Sequence, residues 1–131
     1  MNLELAVLVA SCALCLIQIV VVSHAASHQR GYRWTASPRD SEVAPLTGIA
    51  GRLERALRNF LETFPVFVAA LLLVHVLGRD GVLSRWGAVL YFSARVAYLP
   101  LYAAGVPLIR SLVWNVAFFG IVLLLLAAAW P

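Results

Sequence analysis

A charged stretch, Arg52–Pro65, carries the residues with the most chemistry in this chain. At about 100° per residue, Arg55, Asn59 and Glu62 fall on one stripe of a helix, and Arg58 flanks that stripe. Guanidinium, amide and carboxylate groups together can bind a ligand that carries both negative and positive charges. The stretch runs directly into apolar residues, so its polar stripe should lie where a helix enters a membrane.

Two interpretations of this stretch remain open at the level of sequence. Glu54–Arg58 and Arg58–Glu62 have the i,i+4 spacing of helical ion pairs, which favours a salt-bridged helix extension above the membrane. The other interpretation is a polar site for an anionic ligand, since polar groups at the membrane interface are costly unless they are paired or line a wet cavity.

A second polar face lies in the third apolar segment. Tyr91, Arg95, Tyr98 and Tyr102 recur at helical spacing and therefore share one face. An arginine inside a membrane span costs a few kcal/mol to insert and marks a functional site by default. The structural alternative is that Arg95 pairs with Glu62 and ties two helices together, and both roles can hold at once.

Arg110 is the candidate for acting on a reactive anion. Pro107 suits the first position of a helix, which places Arg110 in the first turn. The helix macrodipole opposes a cation there, so Arg110 is a poor structural cap. Helix amides and a guanidinium can instead converge on an anion.

The elements that must position these residues are membrane helices. The chain has 131 residues, of which 63% are hydrophobic and 12% charged, against about 45–50% and about 25% in soluble domains. A span needs about 20 apolar residues, so four spans nearly use up the chain. The sequence therefore predicts one all-α domain, a four-helix integral membrane bundle, with the lipid bilayer as its partner. The ten arginines are spread over loops and helix ends, so nucleic-acid binding is not predicted.

The expected boundaries follow from the apolar runs and from the glycines and prolines between them. The first run lacks the basic start of a signal peptide and exceeds its usual apolar length, so we expect it to be retained. A long polar loop covers 23–51, and Pro65 should kink the helix that follows. The predicted helices are Leu5–Val22, a second that begins near 47–52 and ends near Val76, Val82–Tyr102, and Pro107–Trp130.

No metal site is predicted. Cys12 and Cys15 lie within the first apolar run, where small packing residues are expected. His24 and His28 lie in the polar segment without a carboxylate or cysteine at ligand spacing, so we expect solvated histidines.

The distribution of arginine predicts the orientation of the chain. The first loop and the helix extension after it hold six arginines, whereas the second loop holds Arg79 and Arg85 against Asp80. The positive-inside rule then places loops one and three in the cytoplasm and both termini on the opposite side. The polar residues of the second, third and fourth helices can meet at the cytoplasmic side.

Three motifs resemble those of the MAPEG family, the membrane-associated proteins in eicosanoid and glutathione metabolism. Glu54–Thr63 is similar to the charged signature of the family's second helix, although the leading glutamate here directly precedes Arg55. Ala94–Tyr98 resembles the A-R-V-x-[HY] run of the third helix. Pro107–Ser111 resembles the P-I-R-S that opens the fourth helix in prostaglandin E synthase-like members. The resemblance extends from about Gln29 to Trp114.

The resemblance implies a homotrimer of four-helix subunits that binds glutathione between neighbouring subunits. It also implies that Arg110 faces the glutathione thiol as the catalytic residue. Arg30 is similar to an arginine that contributes to a neighbour's site. The remaining residues implied to bind glutathione are Arg55, Asn59, Glu62, Arg95, Tyr98 and Tyr102.

The implied activity is a transferase or peroxidase reaction on a lipophilic electrophile, carried out by a glutathione thiolate that arginine stabilises. Two departures from the family pattern bear on this. Leu57 replaces a polar residue common in eukaryotic members, and the spacing from Tyr102 to Arg110 differs by one residue from some members. A non-catalytic scaffold or accessory subunit with the same fold is the alternative. A transporter subunit is disfavoured, because the polar groups gather at one side and form no through-path.

Overall fold

The computed structural model describes residues 1–130 and contains only helices over that range. Three of the helices, the first, third and fifth, are long and apolar enough to cross a membrane, which supports an integral membrane protein. The fourth falls outside this group, and it carries Arg85 and Arg95. The helices are α1 (Leu3–Arg30), α2 (Tyr32–Ala36), α3 (Gly48–Val76), α4 (Val82–Ala103) and α5 (Pro107–Ala129).

The first helix is longer than the sequence predicted. The expected loop over 23–51 is wrong in its first part, because α1 continues to Arg30 and the short helix α2 follows. No glycine or proline interrupts the chain between Val22 and Arg30, so nothing there opposes helix propagation. Gly31, at φ 95°, supplies the left-handed conformation that ends α1. His24 and His28 are therefore exposed helical residues.

The other predicted boundaries agree with the structure to within a few residues. The helix α3 begins at Gly48, ends at Val76 and contains Pro65 in its interior. The helix α4 ends one residue beyond the predicted Tyr102. Pro107 is the first residue of α5, as expected for a proline that has no amide hydrogen to leave unpaired.

The core is densest where α3, α4 and α5 meet. Phe67 and Tyr91 are fully buried and stack with ring centroids 3.9 Å apart. The Tyr91 hydroxyl lies 3.1 Å from Thr63 Oγ1, so this tyrosine belongs to the core and not to the open polar face on which its spacing placed it. Gly87 and Gly120 bring the α4 and α5 backbones together, since a Cβ at Gly87 would lie 2.7 Å from the Gly120 carbonyl oxygen.

The antiparallel order of the long helices gives the bundle two ends. We name the end that holds the α1–α3 and α4–α5 connections the arginine end. The guanidinium of Arg52 crosses it and donates to the carbonyl of Ala103 at 3.1 Å. The opposite, N-terminal end holds the chain start and the α3–α4 turn, where Asn2 donates to Asp80 at 3.0 Å.

Candidate functional site

A cleft of about 490 Å³ opens at the arginine end between α3, α4 and α5. Its size falls within the range of roughly 300–1,000 Å³ that is usual for small-molecule sites. The structure brings together six of the eight residues that the sequence singled out, and each of the three helices contributes to them. These six are Arg55, Asn59, Glu62, Tyr98, Tyr102 and Arg110.

The charged side chains of the cleft have no charged partner in the part of the chain that the structure describes. Arg55, Arg58, Arg110 and Glu62 line it, and within residues 1–130 none of the four forms an ion pair or a side-chain hydrogen bond. The i,i+4 pairing of Arg58 with Glu54 or Glu62, which a salt-bridged helix extension requires, is therefore not observed. The cleft presents an excess of positive charge together with one carboxylate.

Tyr102 positions two of the guanidiniums. The Arg110 guanidinium carbon lies 4.7 Å from the centroid of the Tyr102 ring, and that of Arg55 lies 6.0 Å from the same centroid. Cations favour the negative face of an aromatic ring, so one tyrosine draws together arginines from α3 and α5. Tyr98, one turn earlier on α4, packs on Tyr102 with centroids 5.5 Å apart and is buried.

Arg95 lies beneath the cleft and is only 2% exposed. Its guanidinium donates to Asn59 Oδ1 at 2.9 Å, to the Asn59 carbonyl at 3.0 Å and to Thr63 Oγ1 at 2.7 Å. The predicted pairing of Arg95 with Glu62 is therefore wrong, although Arg95 does tie α4 to α3. Asn59 and Thr63 face the interior of the α3–α4 contact, whereas Glu62 lies on an exposed part of α3. Arg95 thus orients Asn59, which does line the cleft.

Arg30 lies apart from the cleft within the protomer. Its guanidinium carbon is 5.1 Å from the Trp34 ring centroid, and Nη2 donates to the Ala44 carbonyl at 3.4 Å. Arg30 is thus held near the junction of α1 and α2, away from the other candidate residues.

Four further residues line the cleft that the site prediction did not include. Besides Arg58, they are Ser111, Trp114 and Asn115 of α5. Asn115 Nδ2 donates to the Ser111 carbonyl at 2.9 Å, and Trp114 stacks on Phe118. The signal was available in the sequence, since Trp114 follows Arg110 by one helical turn and Asn115 follows Ser111 by the same interval.

Comparison with known families identifies the chain. The MAPEG family model matches residues 7–130, which include nearly all of the four long helices. The chain belongs to the MAPEG family. This confirms the resemblance that rests on the motifs in α3, α4 and α5. No curated protein and no solved structure matches the chain significantly.

Proposed function

We propose that this MAPEG protein is a glutathione-dependent transferase or peroxidase that acts on a lipophilic electrophile. Family membership suggests this class of function, because MAPEG members generally use glutathione. The cleft at the arginine end is the proposed glutathione site. Arg55, Asn59, Glu62, Tyr98 and Tyr102 are the proposed binding residues.

The observation that carries this proposal is the unpaired charge of the cleft. Three guanidiniums and one carboxylate converge there, and none of them has an ion-pair or side-chain hydrogen-bond partner within residues 1–130. Glutathione carries two carboxylates and one ammonium, which require cationic donors and an anionic acceptor respectively. Arg55 and Arg58 can bind its carboxylates, and Glu62 can bind its ammonium. Arg95 supports the site from below by fixing the orientation of Asn59.

Arg110 is the proposed catalytic residue. It lies in the first turn of α5, where backbone amides and the guanidinium can both stabilise a thiolate. The pKa of a free thiol is about 8.5. Lowering it by about two units requires about 2.7 kcal/mol of preferential thiolate stabilisation, which a partly desolvated arginine can supply. The thiolate sulfur then attacks the electrophilic atom of the second substrate, and the electron pair of the bond that breaks leaves with the departing group.

The assembly and placement of the site are part of the proposal. We infer that α4 crosses the bilayer alongside α5, giving a single domain of four spanning helices. Three such subunits form a homotrimer, in which Arg30 of one subunit reaches the glutathione of its neighbour. The arginine end faces the cytoplasm and both termini lie on the opposite side. The lipophilic substrate enters from the bilayer between α1 and α5.

The decisive experiment is Arg110→Ala, tested beside Arg85→Ala. Both arginines are the fourth residue of their helix, but Arg85 lies at the N-terminal end. We expect Arg110→Ala to lower turnover of a lipophilic electrophile much more than glutathione affinity, because the guanidinium acts on the thiolate and not on the ligand's carboxylates. The pKa of bound glutathione, followed by thiolate absorbance, should rise towards its free value. Arg110→Lys should restore only part of the activity.

Arg85→Ala should leave turnover and the thiol pKa unchanged. An ordinary thiol pKa in the wild-type protein that Arg110→Ala does not alter would exclude this mechanism. Such a result would favour the alternative function, a non-catalytic scaffold or accessory subunit that retains the MAPEG fold.

A further inference from the structure

A second cavity at the arginine end has a different character from the cleft. It has a volume of about 280 Å³, lies beside α1 and α2, and shares no lining residue with the cleft. We name it the Trp34 cavity. The side chains on which the following argument rests are Ile19, Val22, Arg30, Trp34, Arg39 and Leu57.

The polar wall of the Trp34 cavity consists of hydrogen-bond donors. Arg30 Nε and Trp34 Nε1 are both buried and have no hydrogen-bond partner within residues 1–130. The hydroxyls of Ser27 and Thr35 bond to each other at 2.7 Å, and no carboxylate lines the cavity. Buried donors without acceptors are costly, and arginine and indole nitrogens cannot accept. The exposed ends of the two guanidiniums, Arg30 and Arg39, are therefore the groups that an anionic oxygen in the cavity can reach.

The second guanidinium of this wall is held in place by local hydrogen bonds. Arg39 has the left-handed backbone conformation, with φ 63°, which is unfavourable for a residue with a Cβ. Its Nε and Nη2 both donate to the Thr35 carbonyl, at 3.1 and 3.0 Å, and its amide donates to Ser37 Oγ at 3.2 Å. These bonds hold the guanidinium carbon 5.5 Å from the Trp34 ring centroid, so the same indole contacts the guanidiniums of Arg30 and Arg39.

The other wall of the cavity is apolar. Ile19, Val22 and Leu57 form it, where α1 passes from its apolar run to the polar segment that ends at Arg30. A ligand that satisfies both walls has an anionic head and a hydrocarbon chain. Where a helix leaves the apolar layer of a membrane, the abundant molecule of this kind is an anionic phospholipid.

We propose that the Trp34 cavity binds an anionic phospholipid. The phosphate oxygens accept from the guanidiniums of Arg30 and Arg39, which the Trp34 ring holds together, and an acyl chain lies along α1. This proposal uses Arg30, which is also the residue proposed to reach the glutathione of a neighbouring subunit, but the cavity shares no lining residue with the cleft of its own subunit. It assigns a role to Trp34 and Arg39, which the proposed reaction does not use.

The test is lipid retention by the detergent-purified, full-length protein, measured by native mass spectrometry. Phosphatidylglycerol and phosphatidylcholine with identical acyl chains are the probes. We expect the wild type to retain phosphatidylglycerol preferentially. Trp34→Phe, which offers both guanidiniums a weaker cation–π partner, should weaken retention about threefold. Arg39→Gln should weaken it about fivefold, as expected for one arginine near an anionic lipid.

Arg33→Gln is the matched control, because Arg33 lies exposed on α2 and does not line the cavity. An equal loss in Arg33→Gln and Arg39→Gln would overturn the site in favour of general surface charge. Equal retention of the two lipids by the wild type would also overturn it. If inorganic phosphate displaces phosphatidylglycerol, the cavity is a site for a free anion and the lipid proposal is wrong. If glutathione displaces it, the cavity is part of a glutathione site and the lipid proposal is also wrong. Circular dichroism shows whether each variant is folded. If Trp34→Phe does not fold, the comparison of Arg39→Gln with Arg33→Gln decides whether the Trp34 cavity binds the lipid.

Discussion

The two ends of the bundle differ in whether their polar and charged side chains have partners within the protein. At the N-terminal end, His75 lies 3.1 Å from Asp80, Asn2 also donates to Asp80, and Ser84 donates to the buried Glu4 at 2.7 Å. The guanidinium of Arg79 there donates to the carbonyl of Ala128. At the arginine end, the three guanidiniums and the one carboxylate of the cleft have no such partners.

This difference separates charges that hold the fold together from charges that are available to a ligand. Interactions at the N-terminal end join α1, α3, α4 and α5 where the chain turns back, so much of their cost in desolvation is offset within the protein, although Glu4 Oε2 is buried without a hydrogen-bond partner among the described residues. For the unpaired charged side chains of the cleft, only a bound molecule can supply the interactions that offset the cost of desolvation. The distinction predicts that substitutions at the two ends will affect different quantities, stability at one end and affinity at the other.

The largest expected effect concerns Arg95, which lies near the cleft yet is paired like the residues of the N-terminal end. Arg95→Met should lower the free energy of unfolding by about 3 kcal/mol, since Asn59 and Thr63 lose their buried partner. Thermal unfolding in detergent, followed by circular dichroism, measures it, and Arg95→Lys should recover part of the loss. Unchanged stability together with lost glutathione binding would instead place Arg95 among the ligand-binding residues.

The next effect concerns the free charges. Arg55→Ala and Glu62→Ala should each weaken glutathione binding by about 2 kcal/mol, roughly 30-fold, because each leaves a ligand charge without its partner. Their thermal unfolding should match that of the wild type, since neither side chain has a charged partner in the protein. Isothermal calorimetry in detergent measures the affinity, with Arg85→Ala as the control. Wild-type affinity in both folded variants would remove α3 from the proposed glutathione site.

The smallest effect concerns two serines, one at each end of the bundle. Ser84→Ala should cost about 1.5 kcal/mol of stability, because it leaves the buried Glu4 carboxylate with only Arg85, whose Nε is 3.9 Å away. Ser111→Ala, at the arginine end, should leave stability unchanged, since the Ser111 hydroxyl is exposed and bonds only its own helix. Equal unfolding temperatures for the two variants would contradict the assignment of a structural role to the N-terminal end.

The sequence predicted the ends of α3, α4 and α5 well, because proline and glycine residues mark them. It failed at the end of α1, where polar residues from Ser23 onwards suggested a loop although nothing in them prevents a helix. Polarity reports where a helix leaves the apolar layer, which is a different point from where the helix stops. The six cleft residues were predictable because helical spacing and shared sidedness placed them at one end.

The pairing of Arg95 was not predictable from spacing alone. Glu62 and Asn59 are neighbours on the same α3 stripe, and charge favoured Glu62 as the partner. The choice depends on how α4 rotates against α3, which packing around Tyr91 and Phe67 decides. The position of Arg30 likewise depends on Gly31 and α2, which the sequence prediction did not include.

The contact between Gly87 and Gly120 has a mechanical consequence for the cleft. A side chain on either glycine would force the α4 and α5 backbones apart. The two helices therefore approach each other closely at this crossing, and a change there would alter the angle between them. Tyr102 lies about 22 Å from Gly87 along α4, and Arg110 about 15 Å from Gly120 along α5, at about 1.5 Å per residue. A rotation of α4 by about 5° at its crossing with α5 would move Tyr102 by about 2 Å. The crossing of α4 and α5 at these two glycines therefore affects how far apart Tyr102 and Arg110 lie.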